Sequence, residues 1–232
     1  MMLKEFPSES ALSATWNLEI DEQIIIHNWL KRSFDILFST CALILLSPVF
    51  VIISLLVKLS SPGPVFYCCL RIGRKGRLFK FWKFRSMHKD ADQRLEVMLQ
   101  SDPKLKQEWQ KYFKLRNDPR LTRIGNFLRS TSLDELPQFW NVLLGDLSIV
   151  GPRPYLPREA DPIREILGSR MEKMFSVRPG LTGLWQTAGR NFLTFRQRVE
   201  LEVKYADVRS FLVDLKLIAK TIPILFFRKG AF

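Results

Sequence analysis

Ile36-Leu-Phe-Ser-Thr-Cys-Ala-Leu-Ile-Leu-Leu-Ser47-Pro48-Val-Phe-Val-Ile-Ile-Ser-Leu-Leu-Val57 holds no charged residue over 22 positions. About 20 helical residues cross a bilayer core, so length alone permits one transmembrane helix. Two features argue against a straight span. Pro48 sits mid-segment, where it removes a backbone donor and clashes with the preceding turn. Ser47 beside it can bond the carbonyl that proline frees, which lowers the cost of a break in lipid. Both flanks are also basic. Lys31 and Arg32 precede the segment. Lys58, Arg71, Arg74, Lys75, Arg77, Lys80, Lys83 and Arg85 follow it, with no acid between residues 58 and 85. Short basic flanks stay in the cytoplasm. If both do, the segment over residues 31–62 enters and leaves by one face, as a re-entrant helix broken at Ser47-Pro48. On these features a kinked spanning helix is an equal alternative. A buried helix of a soluble protein fits less well, because few are apolar all round over this length.

The 232 residues are 47% hydrophobic, which excludes a disordered chain. Thirty-six Lys and Arg against 23 Asp and Glu give a net charge of +13. The partner is therefore anionic: nucleic acid, a lipid surface or a phosphorylated substrate. No helix-turn-helix, RNP or zinc-finger pattern occurs, so no nucleic-acid partner is expected. Cys41, Cys68 and Cys69 show no CxxC spacing and read as buried apolar residues in a reducing compartment. Residues 1–30 form a mildly acidic tail without the basic start of a secretory signal.

Ser61-Pro62-Gly63-Pro64 ends the helical pattern and opens a domain expected over residues 63–232. Val65–Ile72 and Leu78–Phe84, separated by Gly73-Arg74-Lys75-Gly76, predict a hairpin. A helical pattern runs over residues 91–115, interrupted near Asp102-Pro103. The apolar stretch Phe211–Phe227, carrying Asp214, Lys216, Lys220 and Pro223, predicts a terminal helix that is either packed or lying in a membrane interface. The expected fold class is α+β, helix-rich and membrane-anchored, with one short hairpin and interfacial amphipathic helices. There is no P-loop, no GxGxxG after a strand and no GxSxG.

The candidate chemistry centres on Arg129-Ser-Thr-Ser132-Leu-Asp134-Glu135-Leu-Pro-Gln138. Taken alone, Ser132 followed by Glu135 spells a capping box, and local sequence favours that plain reading. The surrounding motifs shift the balance. Gly151-Pro152-Arg153-Pro154 presents a guanidinium on a rigid turn. Arg178-Pro-Gly-Leu-Thr-Gly183-Leu-Trp185-Gln186 and Gly189-Arg190-Asn191 add loop-borne polar groups. Arginines suit bidentate phosphate binding, and a carboxylate among them is expected to stay ionised, as nucleophile or magnesium ligand.

These stretches, with Lys31-Arg32-Ser-Phe-Asp35, Lys83-Phe-Arg85-Ser-Met87 and Gly145-Asp146-Leu-Ser148, resemble the bacterial monotopic phosphoglycosyl transferases. The likeness runs from about Lys31 to Phe232 in the family's order. Each motif is weak alone and specific in company. The resemblance implies that Asp134 is a nucleophile attacking the β-phosphate of a nucleoside-diphosphate sugar, and that Glu135 holds Mg2+. It implies that Lys83, Arg85, Arg129, Arg153 and Arg190 surround the phosphates. It also implies a re-entrant helix broken at Ser47 and Pro48. The implied partners are a UDP-sugar, undecaprenyl phosphate and the bacterial inner membrane, with catalysis on its cytoplasmic side; a homo-oligomer is left open. Gly-Pro-Arg-Pro-Tyr155-Leu-Pro157-Arg158-Glu159 is similar to small members acting on UDP-glucose or UDP-galactose in exopolysaccharide or capsule synthesis. One departure is Cys69, where members commonly have glutamine. The rival readings are a membrane-tethered basic binding protein for nucleic acid or anionic lipid, and a scaffold that has lost catalysis.

Overall fold

A computed structural model describes residues 22–112, 115, 118–189 and 193–227. In chain order the elements are α1 (Glu22–Leu45), α2 (Ser47–Ser60), β1 (Phe66–Ile72), β2 (Leu78–Phe84), α3 (Ala91–Ser101), α4 (Pro103–Tyr112), α5 (Arg123–Thr131), α6 (Gln138–Leu144), β3 (Ser148–Val150), α7 (Ala160–Leu167), α8 (Arg170–Phe175), β4 (Gly180–Thr182), α9 (Leu184–Ala188), α10 (Phe195–Val208) and α11 (Phe211–Phe227). The helix-rich α+β class agrees with the sequence. The expected hairpin forms from β1 and β2. A second sheet was not expected: β3 and β4 pair in parallel, Ser148 with Gly180 and Val150 with Thr182. Three-residue strands carry too little alternation to be read from sequence.

The apolar segment is broken at one residue. α1 ends at Leu45, Leu46 takes φ −88° and ψ 0°, and α2 starts at Ser47 with Pro48 in its first turn. Proline is tolerated there because its missing N–H would have had no helical partner. The Phe50 N–H closes the turn on the Leu46 carbonyl at 2.9 Å. No single described helix is long and apolar enough to cross a membrane, but the pair Asn28–Leu45 and Ser47–Ser60, bent by 61°, passes that test together. Ile36, Leu37, Ile44 and Leu45 of α1 are exposed, as are Val51, Ile52, Leu55 and Leu59 of α2.

The described residues fall into two compact units, one of 22–44, 68–81 and 138–227, the other of 45–67 and 82–137. In the first, one apolar cluster joins Tyr155, Ile163, Met174, Val199 and Val203, and another joins Phe79, Val142, Leu147, Val150 and Leu217. Charged side chains brace this unit. The Arg32 guanidinium donates to the carbonyls of Val142 (2.6 Å) and Leu143 (2.8 Å) at the end of α6. Buried Asp35 accepts from the Ser148 hydroxyl and the Ile149 N–H, each at 3.0 Å. Asp214 of α11 accepts from Lys31 at 2.6 Å and from the Tyr205 hydroxyl at 2.7 Å. α11 therefore packs along the side of Asp214 and Leu217, while Leu212, Leu215 and Ile222 are exposed.

The second unit is built on Ile53, Val57, Phe84 and Leu128. Residues 86–88 run against 120–122: the His88 N–H meets the Arg120 carbonyl at 2.9 Å, and the Thr122 N–H meets that of Ser86 at 3.1 Å. Thr122 caps α5, its side chain accepting from the Gly125 N–H at 2.8 Å. The first turn of α5 thus lies directly on the Ser86 backbone. A Cβ at Gly125 would stand 1.8 Å from the Ser86 carbonyl oxygen.

The cysteines depart from expectation. Cys41 and Cys68 are exposed and Cys69 is half-buried. Cys41 lies on α1, several of whose large apolar side chains are also exposed, so apolar character there does not mean burial.

Gly125→Ala should force α5 off Ser86 at a cost of about 1–3 kcal/mol. The expected outcome is a thermal midpoint several degrees below wild type in purified protein. An unchanged midpoint would show that the α5 contact is not constrained as described.

Candidate active site

The second unit brings together four of the residues singled out in the sequence. Lys83 comes from β2, Arg129 from the last turn of α5, and Asp134 and Glu135 from a 3-10 turn, Leu133–Glu135. Ser132 fixes how that turn leaves the helix. It adopts φ 59°, ψ 14°, and its N–H reaches back to the Arg129 carbonyl at 3.2 Å. This left-handed conformation ends α5 and is uncommon outside glycine. The capping box does not form, since Ser132 makes no side-chain cap and Glu135 reaches Lys83.

The geometry is that of two carboxylates sharing a cation. The Lys83 ammonium lies 2.6 Å from Glu135 Oε1 and 3.7 Å from Asp134 Oδ2. The Asp134 side chain is 7% exposed and that of Glu135 is 47% exposed. Arg129 is oriented by a bond from its Nε to the Ser86 hydroxyl at 3.0 Å. Burial pushes the Asp134 carboxyl above its ordinary range. The Lys83 charge pulls it down, Glu135 pushes it up again, and Arg129 pulls it down less strongly. The pull of the surrounding cations is therefore smaller than the push of burial.

Arg85, expected at the phosphates, is placed elsewhere. It is buried, and its guanidinium donates to the carbonyls of Ser61 (2.6 Å), Pro62 (3.0 Å) and Val57 (3.2 Å). Those are the last carbonyls of α2 and of the chain leaving it, which need donors once the helix ends. Lys83 lies in β2 and Arg85 just beyond its end, yet one serves the carboxylates and the other a helix end.

Arg153 belongs to the first unit. Its turn is fixed by the parallel pairing: the Gly151 N–H bonds the Thr182 carbonyl at 2.9 Å, and the Gly180 N–H bonds that of Pro152 at 2.7 Å. A Cβ on Gly180 would stand 2.1 Å from the Gly151 nitrogen. The motifs around residues 151 and 180 are thus one backbone-bonded structure. The Arg153 N–H also donates to Glu202 at 2.9 Å. Sequence reasoning missed Glu202, although it shares a helix face with buried Val199, Tyr205 and Ala206, which marks it as an interior acid. Arg190 lies outside the described residues.

Magnesium fits the acidic pair by donor chemistry. The ion takes one or two carboxylates plus substrate phosphate oxygens and seldom a full protein cage. Among the described residues no three His, Cys, Asp or Glu converge. A half-exposed carboxylate offers the partial site such an ion needs.

The sequence profile of a family described as bacterial sugar transferase matches residues 26–228. The exopolysaccharide production protein ExoY of Sinorhizobium fredii is 44% identical over 202 residues, covering 87% of this chain and 88% of that protein. The UDP-glucose:undecaprenyl-phosphate glucose-1-phosphate transferase of Escherichia coli is 41% identical over 212 residues, 89% of this chain and 42% of that one. The undecaprenyl-phosphate galactose phosphotransferase of Salmonella typhimurium is 41% identical over 204 residues, 88% and 42% respectively. This chain therefore spans about two fifths of the length of the last two proteins.

An acid held above its normal pKa destabilises the fold when ionised. For Asp134 that cost is present in full above its folded pKa and vanishes below the unfolded value of about 3.9. Asp134→Asn should raise the thermal midpoint at pH 7, with the difference shrinking towards pH 4. A variant no more stable than wild type at pH 7 would contradict the burial argument.

Proposed function

Because the chain belongs to the bacterial sugar transferase family and is a phosphoglycosyl transferase, we propose that it moves a hexose-1-phosphate from a UDP-sugar to undecaprenyl phosphate through an aspartyl intermediate on Asp134. The supporting observation is the buried Asp134 carboxylate beside Lys83, Glu135 and Arg129. In this reading an Asp134 oxygen attacks the β-phosphorus. The bond from that phosphorus to the bridging oxygen breaks, and UMP leaves with the electron pair. A phosphate oxygen of the polyprenyl lipid then attacks the same phosphorus, and Asp134 is released as carboxylate. The lipid product is a polyprenyl diphosphate sugar.

The surrounding residues give this chemistry its electrostatics. Burial strips water from Asp134, so its charge is poorly solvated and reactive when ionised. Lys83 keeps the anion in place and offsets the phosphate charge that would repel it. Arg129, steadied by Ser86, is suited to a phosphoryl oxygen. Magnesium, held by Glu135 and phosphate oxygens, would neutralise charge on the diphosphate. A covalent intermediate lets the water-soluble donor and the lipid acceptor visit in turn.

The acceptor requires a site at the headgroup level. The bent pair α1–α2 and its exposed apolar residues support a re-entrant anchor, with catalysis on the cytoplasmic side of the bacterial inner membrane. The relatives named for glucose and galactose transfer support a hexose, and ExoY supports a role in exopolysaccharide synthesis.

Asp134→Asn should abolish UMP release from UDP-glucose or UDP-galactose, together with labelling of residue 134 by donor carrying a radioactive β-phosphate. UMP release at the wild-type rate would exclude the nucleophile role. Glu135→Gln should lose most magnesium-dependent turnover, at least about tenfold; full activity would remove Glu135 from the metal site.

A further inference from the structure

Two guanidinium groups lie against one indole in the first unit. The Arg153 guanidinium is 5.4 Å from the Trp185 ring centroid and that of Arg198 is 5.2 Å from it. Among the described residues neither arginine has an ion pair within salt-bridge distance. Both are partly exposed, whereas Trp185 is buried. Like charges repel, and burial together with the Arg153 charge holds the Arg198 guanidinium below its ordinary pKa. A fold places two such cations on one ring at an electrostatic cost that an anion would remove.

The groups beneath them point the same way. Glu202 is fully buried on α10; one oxygen accepts the Arg153 N–H at 2.9 Å, and the other has no partner. The Tyr155 hydroxyl and Trp185 Nε1 are also buried without partners, as are Arg198 Nε and Gln186 Oε1. Buried polar atoms are nearly always satisfied, so several unsatisfied ones among groups that feel one another's charges mark a place where a ligand or ordered water completes the bonding. Burial raises the Glu202 carboxyl to about 8, more than the nearby cations lower it. Glu202 therefore offsets little of the two arginine charges at neutral pH.

We propose that Arg198, seated on Trp185 beside Arg153, is a further phosphate-binding residue, so that the two guanidinium groups form one subsite on that ring, with Glu202 as the positioning residue that sets the Arg153 turn. Resting on the function proposed above, this assigns the subsite a phosphate or diphosphate group of one of the two substrates. Guanidinium forks recognise phosphate oxygens in a plane, and an indole beneath them restricts their rotation. The shared chemistry leaves two sources, the nucleotide sugar and the polyprenyl phosphate, and a kinetic experiment separates them.

Detergent-purified full-length enzyme is assayed by UMP release, varying UDP-glucose at saturating undecaprenyl phosphate and then the reverse. Arg198→Ala should raise the KM for one substrate about tenfold, the loss expected for one charge-assisted phosphate contact. A rise with UDP-glucose assigns the subsite to the donor, and a rise with undecaprenyl phosphate assigns it to the acceptor. Arg198→Lys keeps the charge but loses the planar fork and should recover only part of the affinity. Arg196→Ala, which removes the same charge from the same helix, should leave both KM values unchanged. Glu202→Gln, nearly isosteric, should raise the KM for the same substrate as Arg198→Ala with little change in kcat. Unchanged KM values for both substrates in folded Arg198→Ala would overturn the proposal, as would an equal effect from Arg196→Ala. Wild-type turnover and residue-134 labelling, measured in the same preparations, report on the aspartyl mechanism separately.

Discussion

Two carboxylates on consecutive residues, one buried and one half in water, repel each other, and here Lys83 is the cation that offsets the repulsion. The ammonium contacts Glu135 directly and approaches Asp134 within 3.7 Å. Much of the second unit can be understood as the means of holding those three groups. β2 delivers Lys83, the left-handed Ser132 turns the chain out of α5 at the acidic pair, and Gly125 lets α5 settle on the segment that follows Lys83. Remove the lysine and the like charges would be separated only by a dielectric that screens them poorly.

The division of labour between the carboxylates follows from their unequal exposure. Asp134 is shielded and its acidity weakened by burial, which suits a group that must form a bond rather than attract counterions. Glu135 is half in water and suits an ion that brings its own hydration. Consecutive positions in a 3-10 turn achieve this because neighbouring side chains there diverge sharply around the axis.

The broken apolar helix, the hairpin and the terminal helix were legible because each has a long periodic pattern or a strong turn signal. Asp134, Glu135, Lys83 and Arg129 were legible as a motif set, but the sequence could not say which cations face the carboxylates. Arg85 illustrates the difficulty. Its motif neighbours Lys83 and Arg129 approach the acidic pair, while its own donors are taken by helix-end carbonyls that no spacing rule reveals. The β3–β4 pairing was invisible for a different reason: its determinants are glycines that allow backbone contact between segments some 30 residues apart, and an absent side chain leaves no hydrophobic signature. Glu202 was overlooked because one acid on a helix usually faces water, and only the burial of its neighbours along the same face contradicts that habit.

Arg85 also ties the end of α2 to the stretch of chain that carries Lys83. One residue separates it from Lys83 along the chain leaving β2, and its guanidinium is tied to the carbonyls that close α2. A stiff extended segment thus links the end of an apolar helix to the ammonium balancing two charges. The residue that closes α2 and the residue that balances two charges are about 7 Å apart along the chain. Hydrogen-bond energy falls off over fractions of an ångström, so one short stretch of chain sets both the closure of the helix and the position of the charge.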